Sequence, residues 1–133
     1  MNHVIVVEDD AHNAVLFRKI LERRAGCQVT VTESVEEVLA LCRGGGVSLV
    51  ILDVSLNNSR WKGEAVSGVD ICRLLKAEAL TVGIPVLLAT AHAMRGDAEK
   101  LIGESGADDY VAKPIVDHES FVKQVLGLMS EAA

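Results

Sequence analysis

Short apolar runs recur along this chain, and each is followed by polar residues. Three of them, Val4–Val7, Leu49–Leu52 and Val86–Ala89, are apolar at every position. Strands that are covered on both faces of a parallel sheet have this continuous pattern. The run Gln28–Thr32 instead alternates polar and apolar residues, which predicts an edge strand. A further strand-like run begins at Tyr110, so the pattern predicts five strands.

Helix-like stretches separate these strands and follow the last one. The second helix starts at Ser34, where Glu37 three positions on forms the pattern of a capping box, and it ends at Gly44. The other predicted helices are Ala11–Arg24, Val69–Ala79, Asp97–Glu104 and His118–Met129. Strands that alternate with helices of this length indicate βαβ units, and right-handed crossovers place the helices on both faces. The pattern therefore predicts an α/β fold with a doubly wound parallel sheet.

Length and charge narrow the class of protein. A chain of 133 residues suits one domain, and we expect a single domain over residues 1–133 with no output domain after it. The net charge of −6 argues against nucleic acid and against an electrostatic membrane anchor. No apolar run approaches the roughly 18 residues of a membrane span. The scattered Cys27, Cys42 and Cys72 are typical of free thiols in a reducing compartment, so we expect a soluble, cytoplasmic protein.

Chemically distinct polar groups follow four of the predicted strands. Glu8, Asp9 and Asp10 follow the first strand, and Asp53, Thr90 and Lys113 follow the third, fourth and fifth. The carboxyl ends of parallel strands meet at one edge of the sheet, where open α/β sheets place their sites. Carboxylates, a hydroxyl and an ammonium group at one edge predict a site for a metal ion and a phosphoryl group.

Four stretches carry a resemblance to a known family. VIVVEDD, LVILDVS, PVLLATAH and GADDYVAKPI occur in this order, at residues 4–10, 49–55, 85–92 and 106–115. Together they resemble the receiver domain of response regulators in bacterial two-component signalling, similar to the chemotaxis receivers. The resemblance implies a flavodoxin-like, five-stranded parallel sheet in the order 2-1-3-4-5.

The resemblance also assigns roles to the polar groups. It implies that Asp53 is the phosphoacceptor, that Lys113 supplies positive charge, and that Thr90 binds a phosphoryl oxygen. It implies that Mg²⁺ is held by Glu8, Asp9, Asp53 and the backbone carbonyl of Ser55. Among these, we expect Asp9 to bind the metal directly and Glu8 to act through water. Asp10 either caps the first helix or joins the acidic cluster, and the cap is the favoured interpretation.

Switching and partners follow from the same resemblance. Thr90 and Tyr110 are expected to form the switch, with the tyrosine ring moving inward after phosphorylation. The responding surface is then built by the fourth helix, the fifth strand of the sheet and the last helix. A histidine kinase or a phosphotransfer domain is the implied donor. The family pattern also implies a cis peptide bond between Lys113 and Pro114.

The chain departs from the family pattern after Asp53. The loop Val54–Ser67 is roughly seven residues longer than usual, and long loops in compact domains are often functional. Asn57 stands where proline is common, and the only tryptophan, Trp61, lies between two basic residues. The loop either contacts a partner or the phosphorylated site, or it is a tolerated insertion.

His92 lies two positions after Thr90, and we expect it to influence how fast the phosphoryl group is lost.

Three other functions compete with that of a phosphorylated receiver. A non-phosphorylated interaction scaffold is one alternative. An aspartate-based phosphohydrolase is a weaker one, because such enzymes carry a second acid two positions after the nucleophile, where this chain has Ser55. A flavin-binding module is disfavoured because Glu8, Asp9 and Asp10 would repel the phosphate of the cofactor. We therefore expect a phosphoacceptor that takes part in its own phosphorylation and dephosphorylation, and not an enzyme acting on a separate substrate.

Overall fold

The computed structural model describes residues 2–56, 59–91 and 97–132, and its main feature is a five-stranded parallel sheet. The sheet strands are β1 His3–Val7, β2 Gln28–Thr32, β3 Val47–Asp53, β6 Val86–Thr90 and β7 Asp109–Ala112. Two short strands, β4 Arg60–Trp61 and β5 Glu64–Ala65, form a separate antiparallel hairpin. The order β2-β1-β3-β6-β7 confirms the predicted order once the hairpin strands are set aside, and β2 lies at an edge as predicted.

The described residues form five helices, of which four connect the strands and the last follows β7. They are α1 Ala11–Arg24, α2 Val35–Arg43, α3 Gly68–Lys76, α4 Asp97–Ser105 and α5 His118–Ala132. The predicted bounds of α1 are confirmed. The predicted end of α3 at Ala79 is wrong, because the chain turns between Ala77 and Gly83 before it enters β6.

Side-chain caps fix where the helices begin. Asp10 is the N-cap of α1 and accepts hydrogen bonds from two backbone N–H groups, which confirms the favoured interpretation of this residue. Ser34 accepts from the N–H of Glu37 at 3.2 Å, but its own N–H donates to Thr32 Oγ1 at 3.0 Å, so only half of the predicted capping box is present. A complete capping box forms one helix later, between Ser67 and Asp70.

The sheet separates two hydrophobic cores. Alternate β1 side chains point to opposite faces, so Val4 and Val6 pack with α1 and α5, whereas Ile5 and Val7 pack with α2 and α3. All four are fully buried, and burial of such a side chain contributes about 1.5–3 kcal/mol. On the first face the rings of two phenylalanines meet at 5.7 Å between centroids. The two cores hold the sheet rigid, and the carboxyl ends of its strands are left facing one edge.

Helix α1 carries a broad apolar arc, formed by Val15, Leu16, Phe17, Ile20 and Leu21. Phe17, Ile20 and Leu21 are buried in the core, whereas Val15 is 52% exposed. The arc is therefore mostly buried in the core, with one apolar residue on the outer surface.

No helix in the described ranges is long and apolar enough to cross a bilayer. The three cysteines are free and buried, as predicted.

Candidate functional site

Asp53 lies at the end of the central strand β3, at the carboxyl edge of the sheet. Its side chain is 4% exposed, and its Oδ1 accepts a hydrogen bond from the Ser55 N–H at 3.1 Å. The Nζ atom of Lys113 lies 3.0 Å from the same oxygen. The neighbouring strand β6 holds the position of the carboxylate through the register of Asp53 with Ala89. A buried carboxylate is thus held between a backbone donor and a cation.

Lys113 follows β7 and connects two acidic side chains. Besides Asp53, its Nζ contacts Glu8 Oε1 at 3.1 Å, and its side chain is only 10% exposed. Its backbone N–H donates to the carbonyl of Thr90 at 2.9 Å, which ties the ends of β6 and β7 together. The peptide bond to Pro114 is cis, as expected. The lysine is therefore a buried ion-pair partner and not a surface residue.

An acidic cluster completes the edge. One carboxylate oxygen from each of Glu8, Asp9 and Asp53 lies within 4.8 Å of the others. Glu8 is buried and Asp9 is half-buried. Asp10 is exposed, and its N–H donates to Glu8 Oε2 at 3.3 Å. These oxygen donors have the chemistry that Mg²⁺ prefers, since this hard cation takes carboxylate, carbonyl and water oxygens.

The close carboxylates shift each other's protonation. Burial and a hydrogen bond with Asp53 raise the pKa of Glu8 to about 7. Burial also acts to raise the pKa of Asp53, but hydrogen bonds with Glu8, Lys113 and the Ser55 N–H outweigh it and lower the pKa. Burial acts to lower the pKa of Lys113, and its contacts with Asp53 and Glu8 raise it overall. Near neutral pH, an ionised Asp53 therefore faces a charged Lys113, and Glu8 carries the exchangeable proton.

The remaining predicted residues lie around this centre. Thr90 is buried at the end of β6, beside β7 in the register of Thr90 with Ala112. Ser55 is exposed in the bend after β3. Tyr110 is half-buried in β7 and packs against the core on the α2 and α3 face. His92 lies in residues 92–96, outside the described part of the chain, so the structure does not bear on the prediction for it.

One contact of Asp53 was not predicted. A Cβ atom added to Gly68 would lie 2.1 Å from the carbonyl oxygen of Asp53, so the first turn of α3 packs directly on the backbone of the candidate acceptor. Gly68 also donates its N–H to the carbonyl of Val54 at 3.2 Å. The contact depends on how the residues between Asp53 and Gly68 fold.

Comparison with known proteins identifies the family. The family model of the response regulator receiver domain matches residues 4–126. The chain belongs to the response regulator receiver family. This receiver is 36% identical over 112 residues to the polar-differentiation response regulator DivK of Brucella ovis, covering 84% of each protein.

Solved structures share the architecture of this receiver. A putative response regulator from Chloroflexus aurantiacus matches with a TM-score of 0.81 and 28% identity, over 97% of this chain and 98% of that one. The receiver domain of a sensor histidine kinase from Pseudomonas aeruginosa, with a magnesium ion coordinated in its active-site cleft, matches with a TM-score of 0.79. At 21% identity over 97% of this chain and 98% of that one, this second likeness shows the shared fold. Receivers of this family are in general signalling domains of two-component systems that bind Mg²⁺ at an acidic pocket.

Proposed function

We propose that this receiver accepts a phosphoryl group on Asp53, in a Mg²⁺-dependent transfer from a histidine kinase or a phosphotransfer protein. The observation that carries the proposal is the contact of Lys113 Nζ with both Asp53 and Glu8, at 3.0 and 3.1 Å. A buried ammonium at this point offers charge to an incoming phosphoryl group as well as to the acceptor. We propose that the transfer takes place in the cytoplasm.

The lowered pKa of Asp53 supports its role as the nucleophile. The carboxylate is ionised at neutral pH and attacks phosphorus without a separate base. A bond forms between a carboxylate oxygen and phosphorus as the bond from phosphorus to the donor imidazole nitrogen breaks. The electron pair stays on that nitrogen, which then takes a proton. The product is an acyl phosphate on Asp53.

The acidic cluster suits Mg²⁺ by its donor set. Glu8, Asp9, Asp53 and the carbonyl of Ser55 would hold the ion, with Asp9 as a direct ligand and Glu8 acting through water. Three carboxylate oxygens within 4.8 Å of one another repel each other unless a cation or a proton separates them. When bound, Mg²⁺ would neutralise the negative charge that develops on the oxygens of the phosphoryl group during transfer.

Lys113 and Thr90 would receive the phosphoryl oxygens. Lys113 stays charged because its pKa is raised, so it forms an ion pair with the product as it does with the free carboxylate. The Thr90 hydroxyl would donate to a second oxygen, which draws the end of β6 toward the site. Movement of Tyr110 in the adjacent strand would then change the surface formed by α4, β7 and α5.

Intact-mass spectrometry tests the proposal. The protein is incubated with Mg²⁺ and acetyl phosphate, beside Asp53→Asn and the control Glu22→Gln, which removes an exposed carboxylate on α1. We expect one phosphoryl adduct that requires Mg²⁺, is absent in Asp53→Asn and persists in Glu22→Gln. An adduct that survives in Asp53→Asn would place the acceptor elsewhere. No adduct on the folded protein would favour the alternative, a scaffold that binds partners without phosphate.

A further inference from the structure

The edge that carries Asp53 repels anions. Its acidic cluster is joined by Asp10, which caps α1 beside it. Three exposed glutamates near the start of α2 add negative charge: Glu33, Glu36 and Glu37. The whole chain has a net charge of −6. Phosphoryl donors are themselves anions, so the field at this edge opposes the approach of the molecules that the proposed function requires.

The β4–β5 hairpin projects from this same edge and is held there at both ends. Its base closes where the N–H of Gly68 meets the carbonyl of Val54 at 3.2 Å, and the N–H of Val66 donates to the Ser59 carbonyl at 3.1 Å. The hydroxyl of Ser59 is buried and donates to the carbonyl of Glu33 at 2.8 Å, just before α2. The hairpin is therefore fixed to the segment that follows Asp53 and to the start of α2.

The hairpin presents two exposed cations, Arg60 in β4 and Lys62 in the turn. Arg60 donates from Nη1 to the carbonyl of Gly63 at 3.4 Å, and Lys62 Nζ lies 5.6 Å from the centroid of the Trp61 ring. The Trp61 ring packs against the core, so it provides a fixed base for the lysine. Across the described ranges, neither cation takes part in a salt bridge. Glu64 offsets one of the two positive charges, which leaves the hairpin at +1.

The distance from these cations to Asp53 is limited by the chain. Gly68 touches the backbone of Asp53, and Ala65, which pairs with Arg60, lies three residues before Gly68. With at most about 3.6 Å per residue and about 5 Å between paired strands, the Arg60 backbone lies within roughly 20 Å of Asp53. A Debye length is about 8 Å at physiological salt, so attraction over this span is strongest at low ionic strength.

We propose that Arg60 and Lys62 attract small dianionic acyl phosphates to the acidic edge and so raise the rate at which Asp53 is phosphorylated. The inference rests on the proposed function and assigns to the insertion a role in selecting donors by charge. The cations act on the encounter between donor and protein, whereas the bond changes at Asp53 stay as described above. The long loop is then a specificity element and not a tolerated insertion.

Initial rates of adduct formation with acetyl phosphate test this, at roughly 20 mM and roughly 500 mM ionic strength. The variants are Arg60→Gln/Lys62→Gln and the opposite change Glu64→Gln. The matched control is Arg23→Gln/Arg24→Gln, which removes two exposed cations from the last turn of α1, at the other end of the sheet. Phosphoramidate serves as a second donor, because its protonated amine cancels one negative charge. Circular dichroism melting checks that each variant is folded.

We expect the hairpin double variant to lose about threefold in rate with acetyl phosphate at low salt, and to match the wild type at high salt. Glu64→Gln should gain rate, the control should stay within about 1.5-fold, and the loss should be smaller with phosphoramidate. Equal losses in the hairpin and control variants would overturn the proposal, because net charge alone would explain them. A loss that persists at high salt would overturn it in favour of a structural role. A wild type with no adduct at Asp53 would instead overturn the proposed function, and this inference with it.

Discussion

Glu8 holds the proton that competes with a metal ion. Its pKa of about 7 means that it is largely protonated at pH 6 and ionised at pH 8. Protonation removes the negative charge with which Glu8 would hold the ion through water, so we expect Mg²⁺ affinity to weaken about tenfold as the pH falls from about 8 to about 6. Isothermal titration calorimetry measures this. Glu8→Gln should bind Mg²⁺ more weakly at the higher pH and with little pH dependence. A tenfold dependence that survives in Glu8→Gln would contradict the assignment.

Gly68 leaves no room for a side chain. Because its Cβ would lie 2.1 Å from the Asp53 carbonyl oxygen, Gly68→Ala must displace α3 or the acceptor. We expect a loss of about 2–3 kcal/mol in the free energy of unfolding, together with slower phosphorylation of Asp53. Gly103→Ala is the control, since that position in α4 has no atom within 4 Å of the added carbon. Gly103→Ala should gain up to about 1 kcal/mol in the free energy of unfolding, as expected when alanine replaces a glycine in a helix. Urea denaturation measures both, and equal behaviour of the two variants would refute the close contact.

The sequence predicts the acidic and basic groups of the site better than their surroundings. Asp53 and Lys113 each follow an apolar run, and a parallel sheet must bring such positions to one edge. The contact of Gly68 with Asp53 has no such periodic signal. It depends on the path of the fourteen residues that separate them (54–67), which no local pattern determines. Clustered carboxylates predict a raised pKa for at least one of them, but only the structure shows that it is Glu8, because that shift needs both burial and the nearness of Asp53.

How well the sequence predicts a helix or strand depends on the length of that element and on the residues that cap it. Helix α1 has a polar cap at Asp10 and a glycine, Gly26, just beyond its end, and its bounds were predicted correctly. The β4–β5 hairpin was missed, because two-residue strands are too short to show alternation. The sequence does contain a turn signal, because a glycine in the second turn position, here Gly63, favours such a hairpin. In the structure Lys62 and Gly63 both adopt positive φ. The start of α3 was also available in the Ser-x-x-Asp pattern that begins at Ser67.

Lys76 joins the end of α3 to the segments that lead into β6 and β7. Its ammonium donates to the carbonyls of Val82 and Ile84, at 3.2 and 2.9 Å, and to the carboxylate of Asp108 at 2.9 Å. Lys76→Met would remove these three hydrogen bonds, and Asp108 would keep only the one it accepts from the Val86 N–H at 2.8 Å. We therefore expect a loss of about 2 kcal/mol in the free energy of unfolding. Lys100→Met should change it by less than about 0.5 kcal/mol, because that lysine is 75% exposed in an i,i+4 ion pair. Thermal melting of both variants checks this, and similar melting temperatures would count against the role of Lys76.

At the scale of the whole molecule, the paired strands β6 and β7 connect the candidate site to the side of the sheet edge where α4 lies. Thr90 ends β6 beside the site, and its carbonyl accepts the N–H of Lys113 at the end of β7. One strand pair therefore links the candidate phosphoryl site to Tyr110, which packs with the partly buried Leu101 of α4 against the same core. A packed core adopts discrete arrangements and does not deform continuously, so we expect a change in charge at the edge to shift the α4, β7 and α5 surface as a unit.

Thr90→Val separates phosphorylation from this shift. Valine keeps the shape of the buried side chain but cannot donate to a phosphoryl oxygen, so Asp53 should still take the phosphoryl group while the response of Tyr110 is lost. Amide chemical shifts recorded before and after treatment with acetyl phosphate and Mg²⁺ measure this. In the wild type we expect shift changes at Asp53 and also along β7 and α4, and in Thr90→Val only near Asp53.

The control for that experiment is Thr30→Val, which removes a hydroxyl that bonds His3 on the far strand pair β1–β2. It should respond to phosphorylation as the wild type does, because its hydroxyl lies outside the path from Asp53 to Tyr110. If Thr90→Val still shows the changes in β7 and α4, the signal passes through Lys113 and the backbone alone. If the wild type shows none, phosphorylation stays local and the output surface must be sought nearer the β4–β5 hairpin.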